Sequence, residues 1–178
     1  MKKIIIAALA AVMLMGCNAS SDDETPPTGT LEEGKMPGFG TYKIVAEKVT
    51  ANGYDIYMLS ATVSSSDKDE GYGIIFFDTD GLNNSVLMVR YADSSKASLY
   101  DTITIITDDM AVIQSSVRGS IDYVEEKYEY AGEFTVSEAS KKQLQSAKTL
   151  HVVLTKNDAI AAEFDLPLAL KKYMKHVI

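Results

Sequence analysis

From Thr41 onward the chain sets β-branched and aromatic residues against polar ones in short runs. TYKIVAEKV (41–49) and YDIYMLSATV (54–63) are two such runs, separated by Ala51-Asn52-Gly53. An Asn-Gly step suits the positive φ of a tight turn, so the pair predicts a hairpin. Further strands are predicted at YGIIFF (72–77), SVLMVRYA (85–92), LYDTITIIT (99–107) and MAVIQSSV (110–117). The segments joining them are Asp78–Asn84, Asp93–Ser98 and Asp108-Asp109. IDYVEEKYEY (121–130) continues the alternation as one strand, with Ile121, Tyr123, Tyr128 and Tyr130 competing for its inward face.

After residue 134 the period changes. Thr135-Val136-Ser137-Glu138 matches a capping box, with Thr135 as the cap and Glu138 reaching back, and a helix is expected to run to about Ala147. TLHVVLT (149–155), a turn at Asn157-Asp158 and AIAAEF (159–164) then predict a second hairpin. Asp165 is expected to cap a final helix carrying Leu166, Ala169, Leu170, Tyr173, Met174 and Val177 at helical spacing. Lys171, Lys172, Lys175 and His176 lie toward its C-terminal end, where the helix dipole favours cations. Its apolar stripe is needed to cover strands. The order of elements predicts a mainly β domain with two helices near the C-terminus, built as an antiparallel β-sandwich or open barrel.

The first 40 residues do not share this pattern. Met1-Lys2-Lys3 is a positive start, and Ile4–Met15 is an apolar run of signal-peptide length, short for a bilayer-spanning helix. Leu14-Met15-Gly16-Cys17 resembles the bacterial lipobox, in which a small residue precedes a cysteine that becomes the first residue of the mature chain. Leu14 and Gly16 fit it, while Met15 is bulkier than the residues usual there. The resemblance implies residues 1–16 as a lipoprotein signal peptide and lipidation of Cys17 by a diacylglycerol and a further acyl chain, palmitate included. Several acyl chains anchor firmly, at roughly 0.8 kcal/mol per buried CH₂. Asn18 stands where an aspartate signals inner-membrane retention in enterobacterial lipoproteins, so the resemblance implies sorting to the outer membrane, with its periplasmic and surface faces both open.

Asn18–Gly40 is rich in Ser, Thr, Asp, Glu, Pro and Gly. So few apolar residues cannot offset the entropy of ordering, and the segment from Cys17 to Gly40 is expected to be a disordered acidic tether. A flexible coil of roughly 23 residues would span about 25 to 30 Å. Residues 41–178 are expected to form a single globular domain. At roughly 140 residues it would bury close to 70% of its unfolded surface, without any cysteine to cross-link it.

Charge narrows the partners. The chain carries 17 basic and 25 acidic side chains, a formal −8, and loss of Lys2 and Lys3 leaves 15 against 25, or −10. Such a surface disfavours nucleic acid. Partners are therefore expected to be the membrane, through the anchor, and an envelope protein or glycan.

The tail from Phe134 to Val177, FTVSEASKKQLQSAKTLHVVLT followed by AEFDLPLALKKYM, resembles the helix, hairpin and helix ending of small exported β-rich proteins. These include the invasion-associated locus B family and accessory lipoproteins of type VI secretion loci. The resemblance covers about a quarter of the chain and implies an architecture without assigning functional residues.

Motifs for chemistry are sparse. Asp78-Thr79-Asp80-Gly81-Leu82-Asn83-Asn84 offers oxygen ligands, but Leu82 and Asn84 fall where a calcium loop needs a ligand and its glycine. A polar turn explains it. His151 lies inside a strand and His176 near the chain end, neither beside a serine or cysteine in a catalytic signature. Ser65-Ser66-Asp67-Lys68 reads Ser-x-x-Lys but falls in a loop rather than at a helix start. Glu125-Glu126 and Asp108-Asp109 are adjacent, and neighbours on a strand point to opposite faces. No metal, cofactor or catalytic residue is assigned.

Tyrosine is the remaining signal, with ten residues and no tryptophan. Tyr54 and Tyr57 in one strand, with Tyr123, Tyr128 and Tyr130 in another, are the candidates for an aromatic binding surface. The sequence therefore predicts a lipid-anchored, non-catalytic binding module. Its alternatives are an accessory structural lipoprotein of a secretion or surface assembly, and a small envelope hydrolase using carboxylates.

Overall fold

The computed structural model describes residues 27–37, 39–51, 53–65, 70–78, 84–91, 98–108, 110–124 and 126–174. Cys17, Asn18 and the signal segment lie outside these residues, as do most of the Asp78–Asn84 turn, Ser66-Asp67-Lys68, Asp109, Glu125, His176 and Val177.

Eleven strands are described: β1 (Gly29–Met36), β2 (Gly40–Ala51), β3 (Tyr54–Ser65), β4 (Glu70–Asp78), β5 (Asn84–Tyr91), β6 (Thr102–Thr107), β7 (Met110–Ser116), β8 (Arg118–Val124), β9 (Lys127–Thr135), β10 (His151–Lys156) and β11 (Ala159–Asp165). Helix α1 (Glu138–Ser146) joins β9 to β10, and a 3-10 turn (Leu168–Leu170) leads into the short α2 (Lys171–Met174). Two antiparallel sheets result, one ordered β1-β2-β3-β4-β5-β9-β8 and the other β11-β10-β6-β7, and neither closes into a barrel. Of the two expected architectures, sandwich and open barrel, the fold is sandwich-like.

Alternation decides the layering. In β6 the pattern Thr-Ile-Thr-Ile-Ile-Thr buries Ile103 and Ile105 and leaves Thr102 and Thr104 half-exposed. Ile44, Leu59, Ile74, Val89 and Tyr130 of the large sheet meet Ile103, Ile105, Val152 and Leu154 of the small one in a single core. Tyr72 stacks on Phe164 across the layers, centroids 4.5 Å apart, while Leu144 of α1, Leu166, Leu170 and Met174 close one end. The large sheet is also partly apolar outside, where Met58, Ile75 and Val86 form a second cluster. Glu47 stands in register with Met58 there, and burial pushes its carboxyl above the usual range.

The β2–β3 hairpin forms as expected. Ala51 pairs with Tyr54, and Gly53 takes φ 82. Thr107 likewise pairs with Met110, with Asp108 at φ 48. The chain changes sheets at Val117, whose amide donates to the Asp101 carbonyl at 2.9 Å.

Four expectations are corrected. Part of the supposed tether is strand β1: Gly29–Met36 pairs with Thr41–Ala46 and Gly40 of β2 despite few apolar residues, because main-chain bonding needs no hydrophobic side chain. Polar ties then hold it, since Glu32 Oε1 accepts from Tyr42 Oη at 2.9 Å and Glu32 Oε2 from Lys172 Nζ at 2.9 Å. IDYVEEKYEY is two strands rather than one. Val124 pairs with Lys127, and Glu126 turns the chain at φ 64.

Thr135 ends β9 and does not cap α1. Ser137 caps it instead, its backbone extended (φ −76, ψ 157) and its Oγ accepting from the Ser140 amide at 3.2 Å. Asp165, finally, caps no helix. Pro167 holds Leu166 outside the helical region, so Asp165 completes β11 and the helical path begins only at Leu168.

Candidate functional site

The ends of the large sheet differ. β8 closes it on one side with β9 as its sole neighbour, and the exposed positions Arg118, Gly119, Ser120, Asp122 and Tyr123 dominate the strand. Gly119 and Gly132 face each other in the register. A Cβ on Gly119 would run into the Ala131 carbonyl oxygen, and one on Gly132 into the Tyr130 phenol and Val117. These glycines let β8 draw in against β9 where the chain has just crossed between sheets.

Register then fixes the side chains. Ile121 opposes Tyr130 and Tyr123 opposes Tyr128, so all four share the face that looks toward the small sheet. Their fates diverge along it. Tyr130 is fully buried, its ring edge-on to Tyr100 at 5.1 Å. Burial pushes its phenol up to about 12, and its oxygen has no hydrogen-bond partner among the described residues. Ile121 and Tyr128 are half-buried at the core margin. Tyr123, beyond them, is 63% exposed, its ring 4.9 Å from that of Tyr128 and tilted by 54°.

The opposite face of the same two strands carries both signs of charge, with Arg118 opposite Glu133 and Lys127 two residues from Glu129. Asp122 stands in register with Glu129, and Ser120 Oγ donates to Asp122 Oδ2 at 3.4 Å.

The expected five-tyrosine patch is therefore a pair. Tyr123 and Tyr128 come together at the margin, whereas Tyr130 belongs to the core because the small sheet covers that part of the face. Tyr54 and Tyr57 lie on β3, separated from β9 by β4 and β5, or about 14 Å. Tyr57 is half-buried beside Lys48, whose Nζ lies 6.0 Å from the ring centroid and 2.6 Å from Asp55 Oδ2. That ion pair raises the Lys48 pKa and lowers that of Asp55. The side chain of Tyr54 lies outside the described residues.

Among the described residues, the catalytic candidates His151, Ser65, Asp108 and Glu126 lie on different strands and turns. His151 Nδ1 is 2.8 Å from Asp165 Oδ1, and its Nε2 is 3.6 Å from Glu163 Oε2. Asp122 and Glu129 are close but sit on an open strand surface rather than in a cleft. Among the described residues no group of three or more His, Cys, Asp or Glu is placed to hold a metal ion, and no helix is long and apolar enough to cross a membrane.

The sequence reading missed the status of β8 as a free edge. The signal available was Glu125-Glu126 in the middle of an alternating run, where two adjacent charges interrupt the apolar face and mark a turn. Comparison of the chain with models of protein families, with curated proteins and with solved structures finds no match.

Proposed function

We propose that this chain is a bacterial lipoprotein, acylated at Cys17 and sorted by Asn18 to the outer membrane, whose sandwich domain is a non-catalytic interaction module of the cell envelope. The lipobox-like Leu14–Cys17 supports the anchor. The observation that carries the binding role is the Tyr123–Tyr128 pair, an aromatic surface left half outside the core on the margin of a free edge strand. Tyrosines so placed offer apolar area and a hydroxyl to a protein or glycan partner at small entropic cost. The open setting of Asp122 and Glu129 counts against a hydrolase built on that carboxylate pair.

The test is in-cell photocrosslinking from position 123, with position 146 on the exposed end of α1 as control, in the Cys17 chain and in Cys17→Ala. One envelope protein captured from position 123 alone, and weakened in Cys17→Ala together with loss of metabolic palmitate labelling, is the expected result. Capture of a whole multi-protein complex from both positions would favour the accessory structural role. Absence of any adduct specific to position 123 would count against the module.

A further inference from the structure

We infer that β1 is a releasable strap: it leaves β2 as a unit while the rest of the sandwich stays folded, and so lets the domain farther out from the membrane. This goes beyond the interaction reading above and rests on its lipid anchor.

Strand β1 is joined to the fold more lightly than its neighbours. Among the described residues it pairs with β2 alone, and none of its 8 residues is buried. Ile44 of β2 and Leu59 of β3, by contrast, are sealed in the core. Of the other edge strands, β7 and β11 each bury a residue, Ile113 and Phe164. Strand β8 buries none, but it is held at both ends, by the buried Val117 before it and by the turn into β9 after it. β1 has one such end, where Met36 pairs with Gly40, whereas Pro27 and Thr28 at the other are exposed and outside both sheets.

What fastens the strap is a buckle around Glu32. Its carboxylate accepts from Tyr42 and from Lys172, and Tyr173 Oη lies 3.4 Å from both Glu32 Oε2 and the Leu31 carbonyl oxygen, where the register shifts. The Tyr42 ring also lies over Gly34, so that a Cβ there would come within 2.6 Å of its Cε1. The Glu33–Lys43 pair is exposed and adds little. Lys172 and Tyr173 belong to α2, so the buckle can open without disturbing the ladder from β2 to β5. Opening trades one edge ladder and these bonds for the freedom of a short segment, a step of the kind that lies below global unfolding. With β1 docked, a coil from Cys17 to Thr28, about 12 residues, would span roughly 17 to 21 Å; released to Gly40, it would span about 25 to 30 Å.

The test is amide hydrogen exchange on the full chain, in Glu32→Gln, in Lys172→Met, and in a chain stapled by Thr30→Cys with Val45→Cys, two positions in register. Expected are β1 amides sharing one protection factor at least about a hundredfold below those of β3 and β4, a further fall of roughly tenfold in either single variant, and a rise in the staple, with β3 and β4 unmoved. Protection of β1 equal to that of β4, or a fall shared by every strand, would overturn the strap. Reach is read by energy transfer from a dye at position 146 to labelled lipid, with the acylated chain in phosphatidylethanolamine–phosphatidylglycerol vesicles. Gly34→Pro, which breaks the β1 ladder, should hold the dye roughly 8 Å farther out than the staple does. Glu32→Ala with Lys172→Ala replaces it if that variant does not fold, and equal distances would overturn the lengthening. A chain that is never acylated yet shows the separate β1 opening would remove the anchor and leave the strap standing. An acylated chain without that opening would do the reverse.

Discussion

Lys172 Nζ lies 2.9 Å from Glu32 Oε2, so the last helix of the described chain is bonded to its first strand. Tyr42 Oη occupies the other carboxylate oxygen, and Tyr173 Oη approaches the first at 3.4 Å. The Lys172 bond, then that of Tyr42, holds the Glu32 carboxyl below the usual glutamate range. A depressed folded-state pKa means a contribution to stability that is complete above the unfolded value, about pH 4.3, and is lost as pH falls through the folded one. Protection of β1 amides, measured against their intrinsic exchange rates at each pH, should therefore fall as pH drops below about 4.3, while the central strands stay protected. Glu32→Gln should abolish that pH dependence, and an unchanged profile in the variant would show that Glu32 is not its source.

Tyr130 offers a second prediction, because its ring and its hydroxyl are separable. The ring fills the core beside Tyr100, whereas the buried oxygen is unpartnered among the described residues. Tyr130→Ala should cost about 3 to 5 kcal/mol in chemical denaturation. Tyr130→Phe should lie within about 1 kcal/mol of the parent or above it, since an unsatisfied polar group is removed. A Phe variant weaker by more than about 2 kcal/mol would mean that the hydroxyl is bonded.

The glycines can be sorted in the same way. At Gly119 a Cβ meets backbone, the carbonyl of Ala131, which cannot swing aside as a side chain would. Gly119→Ala should destabilise by about 1 to 3 kcal/mol and loosen β8. Gly71→Ala, whose Cβ would lie 3.7 Å from the Val63 carbonyl, should stay within about 1 kcal/mol. Thermal melts of the two variants decide it, and equal losses would refute the close approach.

The cap of α1 gives a fourth test. Ser137→Ala should cost about 1 kcal/mol, and Thr135→Ala within about 0.5 kcal/mol, read from urea midpoints. The reverse order would restore Thr135 as the cap.

Much of the fold is legible because single-residue alternation and turn chemistry agree, as in Thr102–Thr107 and at Gly53. β1 is not, since Thr-Leu-Glu-Glu-Gly-Lys has little to bury and its anchors, Tyr42 and Lys172, belong to distant parts of the chain. Tyr123, Tyr128 and Tyr130 read alike in sequence, as aromatic residues competing for one face. What separates them is how far the small sheet reaches across that face, a property of residues 102–116 and 151–165 that β8 and β9 do not encode. The Asp165 cap failed for a local reason, the proline two residues on.

Strands β1 and β8 are the outermost members of one sheet, six interstrand spacings or roughly 29 Å apart. Tension between the segment preceding Gly29 and a partner held at Tyr123 would cross the strands instead of running along them. It would load the ladder bonds one after another, as in opening a zipper, the direction in which a sheet yields most readily. The strand at the start of that zipper is the one riveted through Glu32 to the far end of the chain, so that peeling must also lift α2.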